Sequence, residues 1–507
     1  MPERIIRKEL FAETLSGSMS IDALRQLLRA EKGVVADSVS IADGRLFVLA
    51  ESGNEPALIV ASRKQEALDG FSGDILTVGE CKVPYYAAIC SLTHTNAVRL
   101  RETLPRTASS VLDCRESFGT GDRIGGSAPA TPGHIAALDG TGMIPVLAQQ
   151  SVRENHKTGR TYGQVMDDVT WSVFRTGYDK PWGSDADHQK EFDGLDEAVR
   201  AGFTLFTLDP SDMIDNAAVT DSELVLGGKL RALFAIERDA DAFVSRYEGR
   251  EGAGRTAVVR STVKYLRAVR HAVQAYQRLV ELRGGSGFNF ELSIDETATT
   301  TTALDHRIIA TECIREGVKL FSLAPRFEGA FEKGIDYKGS VEGFRRSLAT
   351  HVALSRELGE YRLSLHSGSD KFSIYPVFGE ETDGFFHIKT AGTSYLEAVK
   401  VAAATDTDFF RRILGLSLDT FKENASSYEI SANPGNVPAP SALDRDSAIR
   451  EIEGNSDMRQ VLHIAFGVIL KEMGGELRTL LRDNGSLYKE YLVKHIGRHI
   501  KGLRGKM

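Results

Sequence analysis

Tyr361-Arg-Leu-Ser-Leu-His-Ser-Gly-Ser-Asp-Lys371 is a short apolar run that stops at a histidine and gives way to small polar residues, an acid and a lysine. Residues 361–365 have the length and composition of a buried strand, and the polar tail sits where such a strand hands over to a helix. The same handover recurs along the chain. Residues 202–208 end in Asp209-Pro-Ser-Asp212, residues 288–294 end in Asp295-Glu296, and residues 385–388 run into His387-Ile-Lys-Thr390. Further strand-like runs lie at 109–114, 143–148 and 318–323, with a weaker one at 428–431. Helical spacing separates them: Tyr162, Val165, Met166, Val169 and Val173 share one face, as do Val341, Phe344, Leu348 and Val352. Ser394-Tyr-Leu-Glu397 is a capping box that starts another helix. Strands alternating with helices predict an α/β fold with a parallel sheet. Seven or eight such units over residues 107–435 suit a TIM-type (β/α)8 barrel, with a doubly wound open sheet as the runner-up.

Outside this region the pattern changes. Residues 1–106 read as a small α+β domain, with a helix at 20–30 and strands at 45–49 and 57–61. Residues 212–261, charged and helix-prone, are too long for a simple connection and read as an inserted helical cap. Beyond the turn-rich Ala432-Asn-Pro-Gly-Asn-Val-Pro-Ala-Pro440, residues 436–507 read as a helical C-terminal extension. A net charge of −8 disfavours a nucleic-acid partner. No apolar run reaches the roughly 20 residues of a membrane span. The charged start and the four cysteines without a CxxC pair suit a cytoplasmic chain with reduced thiols. The oligomeric state is left open.

In a parallel barrel the segments after the strands meet on one face, where active sites are built. That geometry selects the candidates. His366 and His387 come from strand ends predicted to border one cavity, and Asp185-Ala-Asp-His188 adds His188 and Asp187. Two or three histidines with a carboxylate suit a divalent transition metal, with zinc, manganese, nickel, cobalt and iron all allowed. Glu296 is a candidate base. Phe118-Gly-Thr-Gly-Asp-Arg-Ile-Gly-Gly126 resembles an anion cradle with Asp122 and Arg123 at hand, but lacks the endings of a P-loop or dinucleotide fingerprint. His134 follows in Thr131-Pro-Gly-His134. Lys371, Asp370, Ser367, Lys389 and Thr390 supply charges and short hydroxyls for a polyhydroxylated ligand. By contrast His306, His351, His463, His495 and His499 fall within helices and read as structural.

In their order along the chain these tracts resemble the tagaturonate epimerase family of hexuronate catabolism, which interconverts tagaturonate and fructuronate. The resemblance is carried by Gly121-Asp-Arg-Ile-Gly125, Thr131-Pro-Gly-His134, Asp185-Ala-Asp-His188 and Gly202-Phe-Thr-Leu-Phe-Thr-Leu-Asp-Pro210. It continues in Phe290-Glu-Leu-Ser-Ile-Asp-Glu296, His366-Ser-Gly-Ser-Asp-Lys-Phe372 and His387-Ile-Lys-Thr-Ala-Gly-Thr393. It implies an epimerase acting on a sugar acid. Numbered from the carboxylate, these ketouronates carry the ketone at C5 and differ at C3. The C3 proton is not acidified by the ketone, so enolisation cannot invert that carbon. Retro-aldol cleavage of C3–C4 can, and so can transient oxidation by a nicotinamide. Without a dinucleotide fingerprint the retro-aldol route is favoured, with a metal polarising the ketone. Glu296 or Asp122 would serve as base, and Lys371 and Arg123 would hold the carboxylate or polarise an oxygen. The rival readings are a metal-dependent ketose isomerase or aldolase, and a non-catalytic sugar-acid binding protein.

Overall fold

A computed structural model describes residues 8–51, 55–79, 81–426 and 428–505. They form two compact units: 8–110 with 163–181, and 111–162 with 182–505.

The first unit is built on an antiparallel sheet of β1 (Val34–Ala42), β2 (Arg45–Ala50), β3 (Ala57–Ser62), β4 (Gly73–Val78) and β5 (Tyr85–Ser91), in the order β1-β2-β3-β5-β4. Side chains alternate across a strand, so β2 sends Leu46 and Val48 one way and Phe47 and Leu49 the other. The first pair packs with Phe11, Leu24 and Leu28 of the N-terminal helices. The second packs with Leu100, Trp171 and Phe174. Both faces are therefore covered, and every residue of β2 and β3 is buried. The apolar face of the helix Tyr162–Thr176, which the spacing predicts as a barrel helix, is grouped from Gly163 onward with this sheet.

The second unit contains a closed barrel of eight parallel strands, so the open-sheet alternative falls. They are β6 (Glu116–Gly119), β7 (Ile144–Ser151), β8 (Gly183–Gln189), β9 (Leu205–Leu208), β10 (Asn289–Ile294), β11 (Ser322–Pro325), β12 (Arg362–Leu365) and β13 (Phe386–Lys389). β13 pairs with β6 to close the ring. Two expected strands move. The first lies at β6, just past the expected 109–114. The eighth is β8, while residues 428–431 form no strand. Outward residues such as Leu363, Leu365, Phe386 and Ile388 pack under the surrounding helices. Inward residues are polar: Asp185, Thr207, Glu291, Ser322, His387 and Lys389 are all buried.

The insertion after β9 forms helices Glu223–Leu233 and Glu237–Tyr247, which pack on the long helix Arg255–Arg283 through Leu226, Phe243, Val258 and Leu266. The C-terminal helices, ending in Phe466–Asp483 and Gly485–Leu503, share one core with the helix Ser394–Thr405 through Tyr395, Val399, Leu462, Phe466 and Leu492. Among the described residues no helix is long and apolar enough to cross a membrane.

One buried cluster behind the barrel has a measurable consequence. His306 Nδ1 meets His351 Nδ1 at 2.8 Å, and His306 Nε2 meets the Tyr361 hydroxyl at 2.7 Å. Facing ring nitrogens need one donor and one acceptor, so at least one of the two imidazoles is neutral. Burial pushes His351 down to about 4; burial and the neighbouring His351 hold His306 well below its ordinary value. A lowered folded-state pKa gives stability that is complete above the unfolded value of roughly 6.5 and is lost as pH falls through the folded value. The urea midpoint is therefore expected to drop between about pH 6.5 and pH 4. His351→Gln, which keeps an amide for His306 and removes one titrating group, is expected to flatten that slope. An unaltered slope in the variant rejects the assignment.

Candidate active site

A cavity of about 420 Å³ opens at the carboxyl ends of the barrel strands. Its floor is set by Lys389, the last residue of β13. The ammonium donates to Asp187 Oδ1 at 2.6 Å and Thr207 Oγ1 at 2.6 Å, and pairs with Asp185 Oδ2 at 2.8 Å and Glu291 Oε1 at 2.7 Å. Burial acts against this charge, but the three carboxylates outweigh it and hold the ammonium well above its usual range. Asp187 and Glu291 are held low by Lys389 against their burial, while burial wins at Asp185 and raises it to about 7.

Two histidines stand on this floor, each with one nitrogen committed. His366, directly after β12, places Nε2 2.6 Å from Glu291 Oε1. His188 places Nδ1 2.8 Å from Asp187 Oδ1. Their other nitrogens face Asp295, with His366 Nδ1 at 3.4 Å from Oδ2 and His188 Nε2 at 4.0 Å from Oδ1. Burial alone would lower His366, but Asp295 and Glu291 outweigh it and hold the ring up at about 10. His188 is likewise raised, by Asp187 against its burial. Local backbone produces this aim. The β8–β9 register slips between Ala186 and Gln189, and His188 sits in that bulge at φ 54°. Ser367 follows His366 at φ 47°. Left-handed backbone costs a non-glycine residue about 1–2 kcal/mol, and such strain gathers at functional sites.

Among the described residues, His188, Asp295 and His366 bring one donor atom each within 4.8 Å of one another. The set fits a divalent cation. His366 Nδ1 is buried without a hydrogen-bond partner. Two imidazoles and a carboxylate are transition-metal donors, and a carboxylate behind each histidine is the usual way its ligating nitrogen is fixed. Asp370, His495 and His499 form a second such group. It fits less well, because two of its three residues are already engaged: Asp370 Oδ2 accepts from Arg459 at 2.9 Å, and His499 Nε2 accepts the Asp370 backbone N–H at 3.0 Å.

Other expected residues divide. Glu296 lines the cavity, 3.9 Å from His188 Nε2 and 3.0 Å from Arg153. Ser367 and Arg123 line it too, but Arg123 is matched by Glu154 and stacks on the Phe466 ring at 4.0 Å. Several residues are not brought to the cavity. Asp122 fills its own glycine-rich loop, accepting from the backbone of Ile124, Gly125 and Ala130, so the cradle holds a side chain of the protein. His134 is buried against Ser394 Oγ at 2.6 Å, and Thr390 donates to the Gly119 carbonyl. Lys371 is fully buried and its ammonium donates to the carbonyls of Glu332, Ile335 and Ser369. Asp370 points to Arg459. His387 does not join the donor set. β13 continues to Lys389, so His387 sits one layer deeper, its Nδ1 2.9 Å from Ser117 Oγ and its ring lowered to about 4 by burial. Reasoning from the sequence passed over Glu291, a carboxylate at an inward position of β10 between Asn289 and Ser293, and left Asp295 out of the ligand set.

Three comparisons place the chain among known proteins. Residues 35–503 match the family described as tagaturonate epimerase, UxaE. A protein of Thermotoga maritima named tagaturonate/fructuronate epimerase is 40% identical over 423 residues, 82% of this chain and 86% of that protein. The native crystal structure of fructuronate-tagaturonate epimerase UxaE from Cohnella laeviribosi has a TM-score of 0.86 at 32% identity, covering 94% of this chain and 98% of its own. Its one-glycerol complex has the same TM-score at 31% identity, covering 96% and 100%. Matched over nearly its whole length in sequence and in fold, the chain belongs to the tagaturonate epimerase family.

Proposed function

We propose that the protein is an isomerase that interconverts tagaturonate and fructuronate at the mouth of the barrel, with a divalent cation held by His188, Asp295 and His366. Family membership and the names of the relatives support the reaction. The observation that carries the metal is the convergence of three donor atoms, with both histidines oriented from behind by Asp187 and Glu291. Bound there, the cation would supply Lewis acidity toward a ketone and its neighbouring hydroxyl.

The residues of the chain account for the rest. Glu296 faces the same space and is the base: it takes the proton of the C3 hydroxyl as the C3–C4 bond breaks. The bonding pair passes to C4, leaving the C4–C6 half as an enediolate and the C1–C3 half as an aldehyde. Rotation presents the other aldehyde face, C3–C4 re-forms, and Glu296 returns the proton to the C3 oxygen. Arg153 donates to Glu296 at 3.0 Å and so fixes the position of that carboxylate.

Tagaturonate incubated with the protein in D2O tests both halves. The expected product is fructuronate with protium retained at C3 and C4, read by NMR. Deuterium at C3 would replace carbon–carbon cleavage by proton abstraction, and absence of the C3 epimer would remove the proposed reaction.

A further inference from the structure

Five cationic side chains line the cavity: Arg123, Arg153, Arg326, Lys333 and Lys389. Four are matched within the described residues. Lys389 is saturated by the floor carboxylates, Arg123 by Glu154 and Arg153 by Glu296. Arg326 donates to the Thr297 carbonyl at 2.7 Å and lies 3.5 Å from Glu429. Lys333 is the exception. Its ammonium donates to Ser367 Oγ at 2.8 Å, and among the described residues no carboxylate is paired with it. Burial, with Arg153 and Arg123 nearby, pushes this lysine down, against Glu154 and Asp187, which pull it up; an anion bound beside it would favour the charged form.

The backbone around Lys333 is tied down on both sides. Lys371 donates to the carbonyls of Glu332 at 2.9 Å and Ile335 at 2.6 Å. Arg459 donates to the Gly334 carbonyl at 2.7 Å and is itself held by Asp370. Gln460 reaches the Lys333 carbonyl at 3.3 Å. These bonds fix the backbone that carries the side chain, while its ammonium, paired with no carboxylate among the described residues, rests on Ser367, the neighbour of His366. A ligand anchored at the histidines thus shares the cavity with an ammonium that is paired with no carboxylate among the described residues.

We propose that Lys333 receives the carboxylate of the substrate and makes the cavity selective for sugar acids over neutral sugars. This rests on the reading above only for the identity of the substrate.

The test uses the full chain loaded with metal and two measurements. Calorimetric titration compares D-galacturonate with D-galactose, which differ in the terminal carboxylate and need no turnover. The wild type is expected to prefer the acid, and Lys333→Gln to lose about 30-fold in affinity for it with little effect on galactose, the size of a lost charge-assisted hydrogen bond. Lys333→Arg is expected to keep most of the preference and controls for folding. A wild type without preference, or a Lys333→Gln protein that retains it, overturns the assignment; so does an equal loss for both sugars. The second measurement is kcat/KM for tagaturonate, expected to fall in Lys333→Gln by a similar factor. If the wild type fails to turn tagaturonate over yet shows a Lys333-dependent preference for the acid, the proposed reaction falls and the anion site stands.

Discussion

His366→Ala is expected to leave the protein folded but without bound metal, and to lower kcat/KM by about 1,000-fold or more. The imidazole does two jobs in the proposed site. Its Nδ1 is one of three converging donors, and its Nε2 is anchored 2.6 Å from Glu291. Alanine removes the ligand and frees the Glu291 carboxylate to draw Lys389 toward itself, so the remaining donors lose their spacing. Lewis-acid assistance is worth several kcal/mol of transition-state stabilisation, which sets the size of the loss. Metal content by mass spectrometry, measured before and after chelation, and the tagaturonate assay check the two parts separately. His387→Gln is the contrast: one layer down in the barrel, bonded to Ser117, it is expected to retain the metal. A His366→Ala protein that keeps both its metal and a tenth of its activity sinks the ligand assignment.

The barrel was legible because most of its strands are apolar runs ended by polar clusters, and each of those clusters but Asp209-Pro-Ser-Asp212 sends at least one residue to the cavity. Its exception is instructive. β8, Gly183-Ser-Asp-Ala-Asp-His-Gln189, carries almost no apolar signal because its inward residues are the acids that surround Lys389. A strand devoted to chemistry hides from a search for hydrophobic periodicity. The weak run at 428–431 was put in its place, and Tyr428 and Glu429 instead line the cavity from a non-strand segment. Position along a strand was the second weakness. His387 and Lys389 point the same way two residues apart, and only the observed end of β13 tells which one reaches the cavity. The third was reading charged residues without their partners. Asp122 and Lys371 carry the right chemistry in the right loops, yet both spend it on backbone groups, and spacing cannot reveal that. Lys333 lies in the long connection after β11, where no strand signal directs attention to it.

The charge cluster at the floor of the cavity is the element whose removal is expected to cost most in stability. Lys389→Met keeps a long apolar stem and deletes the ammonium, leaving Asp185, Asp187 and Glu291 buried around an empty centre of charge. Removing one partner of a buried ion pair costs about 3–5 kcal/mol, because the remaining charge is neither solvated nor matched. Here three carboxylates lose one shared cation, which places the variant at the upper end of that range or beyond. The urea concentration at which far-UV circular dichroism is lost is the readout. The three acids are not equivalent, and this supplies a sharper check. Asp187 and Glu291 orient His188 and His366, whereas Asp185, among the described residues, bonds only Thr207 and Lys389, and burial already raises it to about 7. It is the carboxylate least costly to neutralise. Asp185→Asn placed on Lys389→Met is therefore expected to recover about 1–3 kcal/mol, while in the wild-type background it gains nothing because it discards a partner of Lys389. A Lys389→Met protein as stable as the wild type, or an Asp185→Asn change that adds its own loss to the first, contradicts a floor held together by charge and points to packing as what keeps this end of the barrel closed.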